Sequence, residues 1–246
     1  DSTNIRAKLE AEQGAESGLL VVSDMQSAGR GRRGRSWESP AGTNIYYTLM
    51  LKPDFSSDCA PMLTLVMALA VAKGIRQTLR RDSEEAAAKV GIKWPNDIVV
   101  DGKKVCGILT EMSMEQGYIQ HIVIGVGINV RKQEFPEEIR DRAAAIDEQC
   151  GFRISRSQLI ADIMEAFEED YEIFLRTHDL KGLRASYAEL LVNQDREVCV
   201  LDPKGEYRGI ARGINDQGEL LVERQDGTVE EVYAGEVSVR GIYGYV

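Results

Sequence analysis

Apolar and polar residues follow one another in three regimes along this chain. In the first, up to about residue 130, short apolar runs are separated by polar loops. Residues 19–23 and 44–51 read as strands, the second stopped by Pro53. Residues 92–94, 98–100, 105–112 and 119–128 form a strand series, and Asp101-Gly102 has the chemistry of a tight hairpin turn. Two helical patterns lie among them. Residues 2–8, headed by Asp1, look like a helix start with its cap, and residues 60–80 are apolar on most sides, the mark of a core helix. The second regime is helical: residues 157–175 form an amphipathic, acid-rich stretch, followed by another at 180–191. From Arg196 the pattern turns to short β-type runs at 197–201, 207–213, 220–224, 229–233 and 237–240. Asp202-Pro203-Lys204-Gly205, Asn215-Asp216-Gln217-Gly218 and Asp226-Gly227 punctuate them, which predicts a small five-stranded barrel. The chain therefore divides near residues 192–195, giving an α+β domain over 1–192 and a β domain over 193–246.

Composition narrows the function classes. The chain has 246 residues, is 43% hydrophobic and carries a net charge of −10. That balance argues against general attraction to nucleic acid or anionic lipid. The longest apolar run, residues 62–72, is too short to span a bilayer, and no signal peptide is visible. The four cysteines are scattered without a C-x-x-C pair, which fits reduced thiols in a cytoplasmic protein. With two histidines, a histidine-rich metal site is excluded and a Ser-His-Asp triad has little support. The chain opens on Asp1 rather than Met, which implies residues upstream.

Against this acidic background Gly29-Arg30-Gly31-Arg32-Arg33-Gly34-Arg35-Ser36-Trp37 stands out. Glycine at this density disfavours a helix, and arginine supplies bidentate donors for carboxylate and phosphate. The segment reads as a loop that closes on a small anion. Its glycines also satisfy G-x-G-x-x-G, but no apolar strand leads into it and no helix follows, so the dinucleotide reading fails on context. Three further segments join it. Lys93-Trp94-Pro95-Asn96-Asp97 sets a cation, an aromatic, a stiffening proline and two polar groups at a strand edge. Lys103-Lys104-Val105-Cys106-Gly107-Ile108-Leu109 opens a strand with a lysine pair, whose two side chains should face opposite ways. Gly125-Val126-Gly127-Ile128-Asn129 ends a strand with glycines that admit a ligand to the backbone.

Taken in order, with Asp1-Ser2-Thr3-Asn4 in front, these motifs make the chain resemble the biotin–protein ligase family over essentially its whole length. The resemblance implies a mixed-sheet catalytic domain related to class II aminoacyl-tRNA synthetases, followed by an SH3-like barrel. It also implies a two-step reaction: biotin and ATP give biotinyl-5′-AMP and pyrophosphate, and the biotinyl group passes to one lysine of a biotin carboxyl carrier protein. In that family's pattern Lys104 is the catalytic lysine, touching both the carboxylate and the phosphate, with Arg32 beside it. Asp97 is the candidate for orienting or deprotonating the acceptor amine. Ser2, Thr3, Asn4, Gln26, Gly29, Arg30, Gly31, Arg32, Lys104 and Gly107 match the biotin positions, the first four of them at the ureido end. Arg32, Arg35, Trp37, Asn96, Lys104, Asn129 and Arg240 match the ATP side, and Gly235 and Glu236 lie at family positions facing the site. Mg²⁺ is implied by ATP, though its ligands are not readable. A lipoate–protein ligase of the same superfamily is the alternative, one not expected to carry the arginine loop. A helix-turn-helix domain before Asp1 would add a repressor role. Homodimerisation is left open, and neither nucleic acid nor membrane is expected as a partner of these residues.

Overall fold

The computed structural model describes residues 1–202, 205–234, 238–241 and 245. Helix α1 (Thr3–Glu12) is capped by Ser2, whose hydroxyl accepts from the Ile5 amide. The cap is thus one residue later than Asp1, and the helix runs four residues beyond the expected stretch. Strands β1 (Leu19–Ser23) and β2 (Ile45–Leu51) flank the arginine segment. A 3-10 turn over Ser57–Met62 leads into α2 (Leu63–Arg80), then α3 (Glu84–Ala88), β3 (Val90–Lys93), β4 (Asp97–Val100), β5 (Lys103–Glu115) and β6 (Tyr118–Ile128). The β4–β5 turn at Asp101 and Gly102 has φ values of 51° and 74°, as the sequence predicts for a tight hairpin. Helices α4 (Ile146–Cys150), α5 (Arg156–Thr177) and α6 (Arg184–Leu190) follow.

The first six strands form one sheet in the order β1-β2-β6-β5-β4-β3, with every strand pair antiparallel. The parallel element of the expected mixed sheet is confined to two isolated bridges, Ile92–Leu191 and Lys104–Ala143. The two-residue period of the strands sorts their side chains between faces. Tyr47, Leu49, Ile108, Ile122, Ile124 and Val126 are buried in the main core with α2 and α5. The alternate positions face the other way. Ala7 and Ala11 of α1 pack there on Met50 and Val123, and beside them lie Thr48, Gly125 and Leu109, aligned across three strands. The helical stretch Ser57–Arg80 is long and apolar enough to cross a membrane, but most of it is buried inside the protein. Its dispersed apolar pattern is that of a core element, because sheet and helices surround it.

The remaining strands, β7 (Glu197–Asp202), β8 (Gly205–Ile214), β9 (Leu220–Glu223), β10 (Val229–Val232) and β11 (Ser238–Gly241), form a second antiparallel sheet. Its order is β10-β9-β8-β7-β11. It docks on the first through Trp94, whose buried indole donates to the Gly218 carbonyl at 3.0 Å, and through the Leu180 amide, which donates to Asp216 at 2.8 Å.

Candidate active site

A cavity of about 760 Å³ opens between the face of the first sheet opposite α2 and α5, the arginine loop and the end of the second sheet. That volume suits a nucleotide-sized or drug-sized ligand. Among the described residues its wall carries Arg30, Arg32, Arg33, Arg35, Lys93, Lys104, Arg142 and Arg240 against three carboxylates, Glu38, Asp97 and Glu134. A protein of net charge −10 has therefore gathered cations in one place. Anions are the ligands such a wall attracts.

The floor is built from β5 and β6. Gly107 and Gly127 are paired across the two strands, and the Trp37 ring lies against both. The Lys104 ammonium is 5.4 Å from the centre of that ring and 2.5 Å from Oδ1 of Asp97. Lys104 is braced from outside the sheet: its amide donates to the Arg142 carbonyl at 2.7 Å, and its carbonyl accepts from Ala144 at 2.9 Å. Ala143-Ala144-Ala145 thus serve to pack beneath the lysine strand. Lys103 is exposed and does not line the cavity, as strand alternation requires.

Asp97 is buried and accepts a second hydrogen bond from the Tyr245 hydroxyl. Burial alone would raise its carboxyl pKa. The charges of Lys104 and Lys93, with the hydrogen bonds from Lys104 and Tyr245, outweigh burial and hold the group below its ordinary value. Lys93 is also buried, with its ammonium 4.1 Å from the centre of the Tyr245 ring. Burial brings its pKa down to about 8, against the pull of Asp97 and with the repulsion of Lys104, Arg240 and Arg32.

The arginine segment folds as a small hairpin. The Trp37 amide donates to the Gly29 carbonyl at 2.9 Å, and the Gly31 amide donates to Arg35 at 2.7 Å. A 3-10 turn at Arg32–Gly34 forms the tip, with Arg33 at φ 59°. Arg32 donates to Asn96 Oδ1 at 2.8 Å and also to the Ala234 carbonyl, tying the loop to both sheets. Gly29 is the one expected biotin-site residue that lies outside the cavity wall. It closes the base of the hairpin, where a Cβ would come within 2.2 Å of the Trp37 carbonyl.

At the other end, Ser2, Thr3 and Asn4 enter from the start of α1. Gln26 accepts from the Thr3 amide at 2.9 Å and donates to Ser39 at 2.9 Å. Asn129 and Arg240 line the nucleotide end of the expected site, together with Asn96. Gly235 and Glu236 lie outside the described residues. Among the described residues no group of three or more His, Cys, Asp or Glu is placed to hold a metal ion.

The structure adds residues that the motif reading did not single out. Lys93 stands in Lys93-Trp94-Pro95-Asn96-Asp97 and could have been taken from it. Thr48 and Glu111 line no motif of their own, but each bonds Asn4. Tyr245 had no sequence signal at all.

Comparison with known proteins agrees with this arrangement. Residues 1–129 match the Biotin/lipoate A/B protein ligase family, and residues 195–240 match the Biotin protein ligase C terminal domain. The Bifunctional ligase/repressor BirA of Bacillus subtilis is 36% identical over 240 residues, covering 97% of this chain and 71% of that protein. The Biotin--[acetyl-CoA-carboxylase] ligase of Paracoccus denitrificans is 30% identical, covering 96% of this chain and 98% of that one. Among solved structures, the biotin protein ligase from Aquifex aeolicus in complex with biotin and ATP is 29% identical. It superposes with a TM-score of 0.80, covering 98% of this chain and 95% of that one.

Proposed function

The chain belongs to the biotin/lipoate A/B protein ligase family, and from that premise we propose that it is an ATP-dependent biotin–protein ligase. The observation that carries the reading is the cation-rich cavity around Lys104, in a chain that matches a biotin- and ATP-bound ligase over nearly its full length. In the first step a carboxylate oxygen of biotin attacks the α-phosphorus of ATP. The bond to the β-phosphate breaks, and pyrophosphate leaves biotinyl-5′-AMP behind. Two anions must meet, so Lys104 and Arg32 stabilise the charge that builds on the phosphate in the transition state. Ser2, Thr3, Asn4 and Gln26 hold the ureido end of biotin, with Arg30, Gly31 and Gly107 along its chain. Arg35, Trp37, Asn96, Asn129 and Arg240 hold the nucleotide. Mg²⁺ bound with ATP would offset part of the charge on its phosphates, and among the described residues no cluster of carboxylates is placed to hold it.

In the second step the amine of a carrier-protein lysine attacks the acyl carbon and AMP departs. Asp97, kept ionised by its cationic neighbours, orients that amine and accepts its proton. The arginine hairpin excludes water from the mixed anhydride. We assign the catalytic domain to residues 1–192 and the SH3-like domain to 193–246. The acceptor is a biotin carboxyl carrier protein, and the compartment is the cytoplasm, where ATP and such carriers meet.

The test is ATP–pyrophosphate exchange with purified protein. Biotin should drive it, and lipoate should not. Exchange driven equally by both acids would move the chain to the lipoate branch of the family.

A further inference from the structure

The Asn4 side chain is buried at the closed end of the cavity, and both ends of its amide are specified. Oδ1 accepts from the Thr48 hydroxyl at 2.7 Å, while Nδ2 donates to Glu111 Oε2 at 2.8 Å and, with a longer and weaker contact, to the Leu109 carbonyl at 3.4 Å. Oδ1 also lies directly over Gly125, where a Cβ would come within 2.0 Å of it. An amide oxygen accepts two hydrogen bonds, and Thr48 supplies one. Among the described residues no second donor to Oδ1 is found, and Asn4 lines the cavity, where a ligand could supply one.

An asparagine amide has nearly the same shape with its oxygen and nitrogen exchanged. What discriminates the two orientations is the partner chemistry. Thr48 can donate or accept, so it tolerates either. Glu111 cannot. Burial works to raise its pKa, but the hydrogen bonds from Asn4 and Lys8 and the charges of Lys8 and Arg30 outweigh burial and keep it ionised, an acceptor only. Its Oε1 is held by Lys8 at 2.9 Å and Arg30 at 3.2 Å, which leaves Oε2 for Asn4. A flipped Asn4 would set oxygen against carboxylate.

We propose that Glu111 is a positioning residue that fixes the polarity of Asn4, so that the cavity presents an acceptor to a ring-urea N–H. The proposal rests on the reading of this cavity as a biotin site. Glu111 itself need not touch biotin. Through Arg30 the same carboxylate also anchors the arginine hairpin beside the head-group end.

Glu111→Gln tests it with little change of shape. Lys8 and Arg30 would claim the amide oxygen of the glutamine, turning its NH₂ toward Asn4 and favouring the flipped orientation. Asn4 would then offer N–H to a ligand that also offers N–H. Biotin affinity, measured by calorimetry on the full chain, should fall by about tenfold to hundredfold. Turnover at saturating biotin and the affinity for ATP alone should stay within about twofold. Asn4→Ala should weaken biotin similarly, and adding Glu111→Gln to it should cost no more than about a further twofold. Unchanged affinity in Glu111→Gln would overturn the proposal, as would full additivity in the double variant. If Glu111→Gln fails to fold, Glu111→Ala takes its place. It removes the group that selects one orientation of the Asn4 amide and should weaken biotin as well, and normal affinity in Glu111→Ala would overturn the proposal equally. Failure of the wild-type protein to bind biotin would instead refute the underlying reading of the site.

Discussion

Among the described residues, two clusters of charged groups with buried carboxylates are built on opposite terms. Between α2 and α5, Asp162 accepts from Thr78, Gln158 and both terminal nitrogens of Arg81, and Asp170 is paired with Lys73 at 2.5 Å. Each carboxylate there has its own cation, and neither residue lines the large cavity. Around Asp97 the balance is reversed. A single buried carboxylate faces Lys104 and Lys93, with Arg32 and Arg240 on the same wall. A balanced buried pair contributes little beyond fixing how two helices meet. Buried Lys93, half-buried Lys104 and Arg32 and exposed Arg240 crowd positive charge beside open space, a strain that an anion arriving there relieves. The difference separates charge that organises the fold from charge that awaits a ligand.

Removing one charged group from each cluster should separate the two most clearly. Lys104→Met keeps the apolar stem and deletes the ammonium. It should slow adenylate formation by roughly 10²–10³ with little loss of thermal stability, measured as pyrophosphate exchange beside a melting curve. Lys103→Met, on the exposed side of the same strand, should leave exchange within about twofold. Equal losses at both lysines would show that strand alternation does not organise the site.

Asp162→Ala should do the converse. Removing the carboxylate strands the buried Thr78 hydroxyl and releases Arg81 to solvent, which should cost about 1–2 kcal/mol of stability by denaturant titration. Activity per folded molecule should not change. A variant of normal stability but poor exchange would erase the contrast between the clusters.

A subtler effect concerns Lys93. Its folded pKa of about 8 lies below the ordinary 10.5. Between those values the unfolded chain binds more protons than the folded one, so this group's unfavourable contribution to stability is felt in full below pH 8 and is relieved as pH rises toward 10.5. Nucleotide phosphates should reverse the shift by stabilising the ammonium. ATP binding near pH 8 should therefore take up a fraction of a proton and weaken as pH rises further. Calorimetry in two buffers of different ionisation enthalpy measures this directly. Uptake that persists in Lys93→Met would assign the proton to another group.

Much of this architecture is legible in the sequence, and the parts that are not share a physical cause. β1 coincides with the expected 19–23, and β2, β4, β6 and α5 are found within one or two residues of their expected ends, because local periodicity reports burial on one face. α3 and α4 escape because each is five residues long, too short for a helical period to register. β5 continues to Glu115, three residues past the expected end, since its last residues pair with β6 where little of the surface is buried and the apolar signal fades. Lys104, Asp97 and Arg32 were readable because each sits in a dense local motif. Thr48, Glu111 and Tyr245 were not. They meet their partners across sequence separations of 44, 107 and 148 residues, and only the strand order brings them together.

In the proposed reaction this cavity joins biotin to AMP and holds the product for a lysine. The most direct measurement mixes the protein with biotin and α-labelled ATP, without acceptor, and follows pyrophosphate together with the label. A rapid burst of about one pyrophosphate per chain that requires biotin is expected, with biotinyl-5′-AMP retained by the protein and released as AMP when an acceptor carrier domain is added. Pyrophosphate release that ignores biotin, or label attached covalently to the protein, would contradict it.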